Sequence, residues 1–241
     1  MLKGIDTHMD TPAWFLEEIA YAGDEHLDSA YVATYDQKAG VDPREDLALL
    51  GALGLNERSA LVDLGAGSGS FALAAAPLCC RVVAVDVSPA MLAALRAKAA
   101  AHGLNNVEGV QGGFLTYAHQ GDPADVVYSR HALHHLPDFW KVVALARVTA
   151  ILRPGGVLRM RDLVYACEPR DIERVIEPRL AAGAARPEDG WTRQELETHV
   201  REEYSPFSWA LEAMLEHAGF QIQQAEYDAS RIYAAYTCVK G

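Results

Sequence analysis

From residue 60 onward, short β-branched apolar runs alternate with longer stretches of helical period, the pattern of a parallel sheet covered by helices. Residues 60–64, 81–86, 107–111, 124–129 and 157–164 read as five strands, the first with Asp63 next to its end and the second ending in Asp86. Helices are expected over 71–76, 90–101 and 139–151 between them. Ser88-Pro89 supplies an N-cap and a favoured first helical residue, and Gly103 suits a C-cap. Arg153-Pro154-Gly155-Gly156 reads as a turn that stops a helix and redirects the chain. The rhythm then breaks. Residues 166–204 are rich in charge and alanine and read as helices, with a capping box at Thr192 to Glu195. Ser205-Pro206 restarts a helix that ends at Gly219, and residues 220–227 and 231–239 alternate as two closing strands. Residues 1–56 show helical spacing only, with Trp14, Phe15, Ile19 and Ala20 in one stripe and Leu47, Leu49, Leu50 and Leu53 in another.

Composition narrows the class. The chain has 241 residues, 50% apolar, enough for one domain with a full core and a small cap. A net charge of -12 works against a phosphate-backbone partner, which needs clustered Lys and Arg. No apolar run is long enough to span a membrane, and Lys3, Asp6 and Asp10 break any signal-peptide pattern. Cys79, Cys80, Cys167 and Cys238 lack metal-ligand spacing and read as thiols of a cytoplasmic protein.

The chemistry centres on Asp63-Leu64-Gly65-Ala66-Gly67-Ser68-Gly69, a glycine turn between the first strand and its helix. Such a turn lets backbone N–H groups and a helix start approach a ligand closely. A nicotinamide fingerprint would need its third glycine one residue later, where Ser70 stands. Asp86 closes the next strand, placed so that its carboxylate can accept from both hydroxyls of a ribose. Asp125 to Ser129, then His134-His135-Leu136-Pro137, and the turn at 152–156 follow in order. Together these motifs, over residues 58 to 165, resemble those of class I S-adenosylmethionine-dependent methyltransferases.

The resemblance implies an α/β fold: a Rossmann-like, doubly wound, mostly parallel seven-stranded sheet with a helical cap. Residues 1–56 and 166–204 would form the cap, 57–165 the cofactor-binding core, and 205–241 the last helix and closing hairpin. It implies that Asp63, Gly65 and Gly67 cradle the methionine part of the cofactor and Asp86 holds the ribose. Val87 and Met91 would flank the adenine. The chain departs from the family at Gly113, where an Asp usually meets the adenine amino group; backbone contacts or stacking on Phe114 would replace it. Ser129 would reach the methionine amine through its backbone, and Tyr35 would close over the cofactor.

Methyl transfer asks little of side chains, because positioning supplies much of the rate. Where the acceptor carries a proton, a base is needed. His131, His134 and His135, after the fourth strand, are the candidates, with His131 and His134 foremost. The remaining histidines, His199 among them, read as surface residues. The expected partner is a small-molecule acceptor, with Trp14, Trp140, Trp191, Trp209, Tyr31 and Tyr204 available to line its pocket. No metal, nucleic acid or membrane partner is expected, and the chain would be a monomer or homodimer. Cyclisation of the cofactor, non-catalytic cofactor binding and a nicotinamide oxidoreductase are the competing readings.

Overall fold

In a computed structural model that describes residues 12–23, 27, 32, 40, 42–186 and 189–241, seven strands form one sheet in the order β3-β2-β1-β4-β5-β7-β6. The strands are β1 Ala60–Leu64, β2 Arg81–Asp86, β3 Val107–Gln111, β4 Ala124–Arg130, β5 Leu152–Leu163, β6 Phe220–Tyr227 and β7 Tyr233–Lys240. β1 to β5 run parallel, and β7 enters antiparallel between β5 and β6. The helices are α1 Arg44–Ala52, α2 Ser70–Ala75, α3 Pro89–Ala101, α4 Asp138–Ile151, α5 Ile172–Ala181, α6 Arg193–Glu202 and α7 Ser208–His217.

Alternation along β1 divides the core into two layers. Val62 and Leu64 face α4 and α7, packing with Leu145, Val148, Leu211 and Leu215. Leu61 faces the other way, onto Leu50 of α1, Phe71 and Ala72 of α2, and Leu95 of α3. With helices on both sides, the sheet is doubly wound, and its order reverses between β1 and β4. At that point neighbouring crossovers leave in opposite directions and open a crevice at the strand ends.

α1 is locked to the sheet by a buried charge network as well as by Leu50. Asp46, 1% exposed, accepts from Tyr128 Oη at 2.9 Å and from Arg159 Nε at 2.9 Å, and Arg161 also reaches its carboxylate. Removing one member would strand a buried charge, at a cost of about 3–5 kcal/mol.

Four boundaries differ from expectation, each for a local reason. The stripe at residues 14–20 forms only a short 3-10 turn, Glu18–Tyr21, preceded by a turn from Phe15 N–H to the Pro12 carbonyl. β5 begins at Leu152, because residues 153–156 loop out within it: Ala124 pairs with Leu152, then Val126 with Val157. α7 starts at Ser208 and not at 205, since the chain on either side of Phe207 first bonds to Tyr165. The last strand starts at Tyr233, because Asp228 accepts from Ser230, Ile232 and Tyr233 in the preceding turn. The Thr192–Glu195 capping box opens α6 as expected. No helix among the described residues is long and apolar enough to cross a membrane.

Candidate active site

The glycine turn needs its glycines. Gly65, Gly67 and Gly69 all have positive φ, at 75°, 53° and 91°. A Cβ on Gly65 would lie 2.3 Å from the Ala132 Cβ, so the turn and the loop after β4 touch where only hydrogen fits. The Gly65 and Ala66 N–H groups donate to the Val85 carbonyl, and Gly67 N–H donates to Asp86 Oδ2 at 2.7 Å. Asp86 Oδ1 accepts from Ser88 N–H at 2.9 Å, so the ends of β1 and β2 are tied together through this carboxylate.

Two connected lobes open above these strand ends. One, of about 100 Å³, is lined by Asp86, Val87, Met91, Gly113, Phe114 and Glu18. The other, of about 200 Å³, runs from Asp63 and the turn to the side expected to be the cap, where Arg179 of α5 and Trp191, His199 and Glu203 in and around α6 face it. Gly65, Gly67, Arg130, His131 and His135 line both and mark the junction.

The first lobe answers the departure at Gly113. Glu18, 7% exposed, places its carboxylate where a side chain at 113 would stand: a Cβ there would lie 2.4 Å from Glu18 Oε1. Glu18 Oε2 accepts from Thr116 N–H at 3.1 Å and Thr116 Oγ1 at 2.9 Å. Burial raises its pKa against these hydrogen bonds. An acid is therefore present at this point of the lobe, delivered from the N-terminal segment.

The second lobe holds groups whose charge states diverge. Asp63 is 2% exposed; burial, then the Asp86 carboxylate, push its pKa up to about 8. His131 has φ 50° and is held by its N–H on the Arg161 carbonyl; burial takes its imidazole down to about 3, so it is neutral at physiological pH. His134 differs. Burial lowers its pKa, but the Asp162 and Glu203 carboxylates outweigh that and hold it above the ordinary value. Its Nδ1 meets Asp162 Oδ1 at 2.5 Å, and its Nε2 lies 3.5 Å from Glu203 Oε2. Asp162 also accepts from the His134 and Leu163 backbone N–H groups, which fixes the ring. Lys141, fully buried on α4, donates to the Leu136 and Tyr204 carbonyls and so fastens this loop to the segment after α6.

Of the residues expected to bind cofactor, Asp63, Gly65, Gly67, Asp86, Val87, Met91, Gly113 and Phe114 line the two lobes. Ser129 is buried, with its Oγ donating to the Leu64 carbonyl, and its side chain is turned to that strand. Tyr35 and Tyr31 lie outside the described residues. Trp191 lines the cap-side lobe, whereas Trp140 is in the core and Trp209 is 60% exposed. His199, expected at the surface, instead lines the lobe, because α6 turns it inward with its Nε2 4.0 Å from Glu203 Oε1. Sequence reasoning missed Glu18, Asp162, Arg179, Glu203 and Tyr233. Only the helical period of α6, which puts His199 and Glu203 four apart on one face, held a readable signal. His134, His135 and Glu203 also have ligand atoms within 4.8 Å of one another, a spacing that could hold a metal ion, though none was expected.

Comparison with known proteins agrees with this geometry. Residues 61–156 match the family model described as a methyltransferase domain. An uncharacterized methyltransferase of Bacillus subtilis, YcgJ, is 31% identical over 102 residues, covering 42% of this chain and 40% of that protein. The chain thus spans well under half the length of that relative. A SAM-dependent methyltransferase from Aquifex aeolicus superposes with a TM-score of 0.60 at 17% identity, over 89% of this chain and 99% of its own. Magnesium protoporphyrin IX methyltransferase from Synechocystis, solved with bound SAM, gives 0.64 at 13% identity over 95% and 99%. The matched stretch holds the glycine turn, Asp86 and the β4 loop, so residues 61–156 of this chain are a methyltransferase domain.

Proposed function

We propose that this chain transfers the methyl group of S-adenosylmethionine to a small-molecule acceptor held in the cap-side lobe. The observation that carries the reading is the pair of lobes meeting at Gly65, Gly67, Arg130, His131 and His135, one lined by Asp86, Val87, Met91 and Glu18 and one by Arg179, Trp191, His199 and Glu203.

The residues present fit the cofactor. Asp63 Oδ2 and Arg130 Nε are buried without hydrogen-bond partners beside the same turn. Buried polar groups left unpaired are costly unless a ligand completes them, and an amino-acid zwitterion carries an ammonium for the Asp63 carboxyl and a carboxylate for the Arg130 guanidinium. Asp86, oriented by Gly67 and Ser88, would accept from the ribose hydroxyls, with Val87 and Met91 against the adenine. Glu18 would take the role of the absent acid at 113 and meet the adenine amino group. When bound, the cofactor supplies an electrophilic methyl group on a sulfonium.

The chain's own residues then position the acceptor and manage its proton. His134, oriented by Asp162, presents Nε2 toward the cap-side lobe and is placed to take a proton from an acceptor hydroxyl or amine. His131, neutral and at the junction, would pack beside the reacting centre rather than carry charge there. Lys141 and α6 hold the cap over the lobe, which limits water at the transfer site.

The test is incubation with methyl-labelled cofactor and a metabolite extract. Label is expected in a small-molecule product, with stoichiometric S-adenosylhomocysteine. Cofactor that binds but is recovered unchanged, or is rearranged without forming that by-product, would overturn the reading in favour of non-methylating chemistry.

A further inference from the structure

Burying a guanidinium is costly unless its N–H groups find acceptors. Among the described residues that are buried or half-buried, Arg81, Arg147, Arg159 and Arg161 each donate to carboxylates or carbonyls. Arg130 and Arg179 are the exceptions: Arg130 Nε and Arg179 Nη1 are buried with no hydrogen-bond partner. Both line the same lobe. In a chain with twelve more acidic than basic side chains, such guanidinium groups could readily have acid partners nearby. Leaving two of them open in one cavity points to anions that arrive with ligands.

The two arginines are placed for different ligands. Arg130, at the end of β4, lines both lobes and stands beside the turn, where the cofactor's own carboxylate would lie. Arg179, near the end of α5, lines the cap-side lobe and not the adenosine lobe. Its guanidinium lies over the Tyr233 ring, 4.9 Å from the centroid, which restrains the plane of the fork. The carboxylate sharing that lobe, Glu203, lies between the His134 and His199 imidazoles, at 3.5 Å and 4.0 Å.

We infer that Arg179 is the anion-binding residue of the acceptor site, so that the acceptor carries a carboxylate or phosphate group. The inference rests on the reading of the cap-side lobe as the acceptor site. The anion sits on the Arg179 fork, against Tyr233 and Trp191, and the nucleophilic end of the same molecule points toward His134 and the junction. Arg fits here better than Lys because its planar fork can donate two parallel hydrogen bonds to one oxyanion.

Protein saturated with S-adenosylhomocysteine is titrated calorimetrically with inorganic phosphate, with benzoate and with benzamide as the neutral match. The wild type is expected to bind at least one anion saturably and to discriminate against benzamide; the tighter anion identifies the source. Arg179→Gln is expected to weaken that anion by about tenfold or more. Arg179→Lys should fall between, and neither variant should change affinity for S-adenosylhomocysteine. Arg130→Gln should do the reverse. The inference is overturned if neither anion binds, if benzamide binds as well as benzoate, or if Arg179→Gln binds anion like wild type. A loss of S-adenosylhomocysteine affinity in Arg179→Gln would also overturn it, by assigning Arg179 to the cofactor. If S-adenosylhomocysteine itself fails to bind the wild type, the reading of the whole site falls; if it binds and the anions ignore Arg179, only the inference falls.

Discussion

Consider Gly113→Asp, which restores the acid that the family usually carries. Its Cβ would lie 2.4 Å from Glu18 Oε1 and 2.6 Å from the Glu18 carboxyl carbon, with the new carboxylate forced beside the old one. Overpacking of this kind costs about 1–3 kcal/mol, and a second buried acid in contact adds to it. Glu18→Ala alone removes two hydrogen bonds and leaves the Thr116 N–H without its carboxylate, at about 1–3 kcal/mol. In the double variant, the space vacated by Glu18 receives the Asp side chain, which can accept from the same turn a few residues on. The two changes should therefore compensate, with a favourable coupling of about 2 kcal/mol or more. Urea denaturation of all four proteins measures this, and calorimetry with S-adenosylhomocysteine gives the parallel result for binding: Glu18→Ala weakened, the double variant recovered. Discrimination against the inosine analogue, which lacks the adenine amino group, should be lost and regained in step. Additive costs, with Gly113→Asp equally harmful whether or not Glu18 is present, would refute the claim that Glu18 occupies the place of the missing acid.

Two pH predictions follow from the second lobe. Asp63 has a folded pKa of about 8 against 3.8 for the free group, so between those values the folded chain holds a proton that the unfolded chain has released. Burial raises the Asp86 and Glu18 pKa values as well, so stability without cofactor should fall as pH rises from about 4 to about 8, and Asp63→Asn should make that slope shallower while weakening cofactor binding. A flat wild-type profile in thermal unfolding would sink the assignment. His134 has a raised pKa and Asp162 a lowered one, so their pairing stabilises the fold above the free-acid value of 3.8; it is lost as pH rises through the raised His134 pKa. Asp162→Asn keeps a hydrogen-bonding side chain but removes the charge. It should cost about 3–5 kcal/mol and move the acid limb of the kcat profile to lower pH. An unmoved limb would show that His134 does not titrate in catalysis.

Much of the fold was legible because the signals were local. The short apolar runs at β1, β2 and β4, the Ser88-Pro89 cap and the Thr192–Glu195 capping box each state their structure within a few residues. The same holds for the glycine turn and Asp86, whose partnership is a short-range consequence of two adjacent parallel strands. What was not legible depends on distant pairing. Glu18 and Thr116 are 98 residues apart, so nothing near Gly113 announced that another segment filled its place. Asp162 lay inside an apolar strand as one acid among others until the fold brought it to His134. His199 was misread because a histidine on a polar helix shows the same local pattern whichever way the helix turns. Residues 14–20 were misread because helical spacing over one turn cannot outweigh tertiary contacts, here the stacking of Trp14 on Trp140.

The central claim is that the crevice at the ends of β1, β2 and β4 binds S-adenosylmethionine with Asp86 on the ribose. Calorimetric titration of the cofactor into the wild type and Asp86→Asn tests it most directly. Saturable binding at one site per chain, weakened about tenfold or more by Asp86→Asn, is the predicted result. No binding to the wild type, or equal affinity in the two proteins, would contradict it.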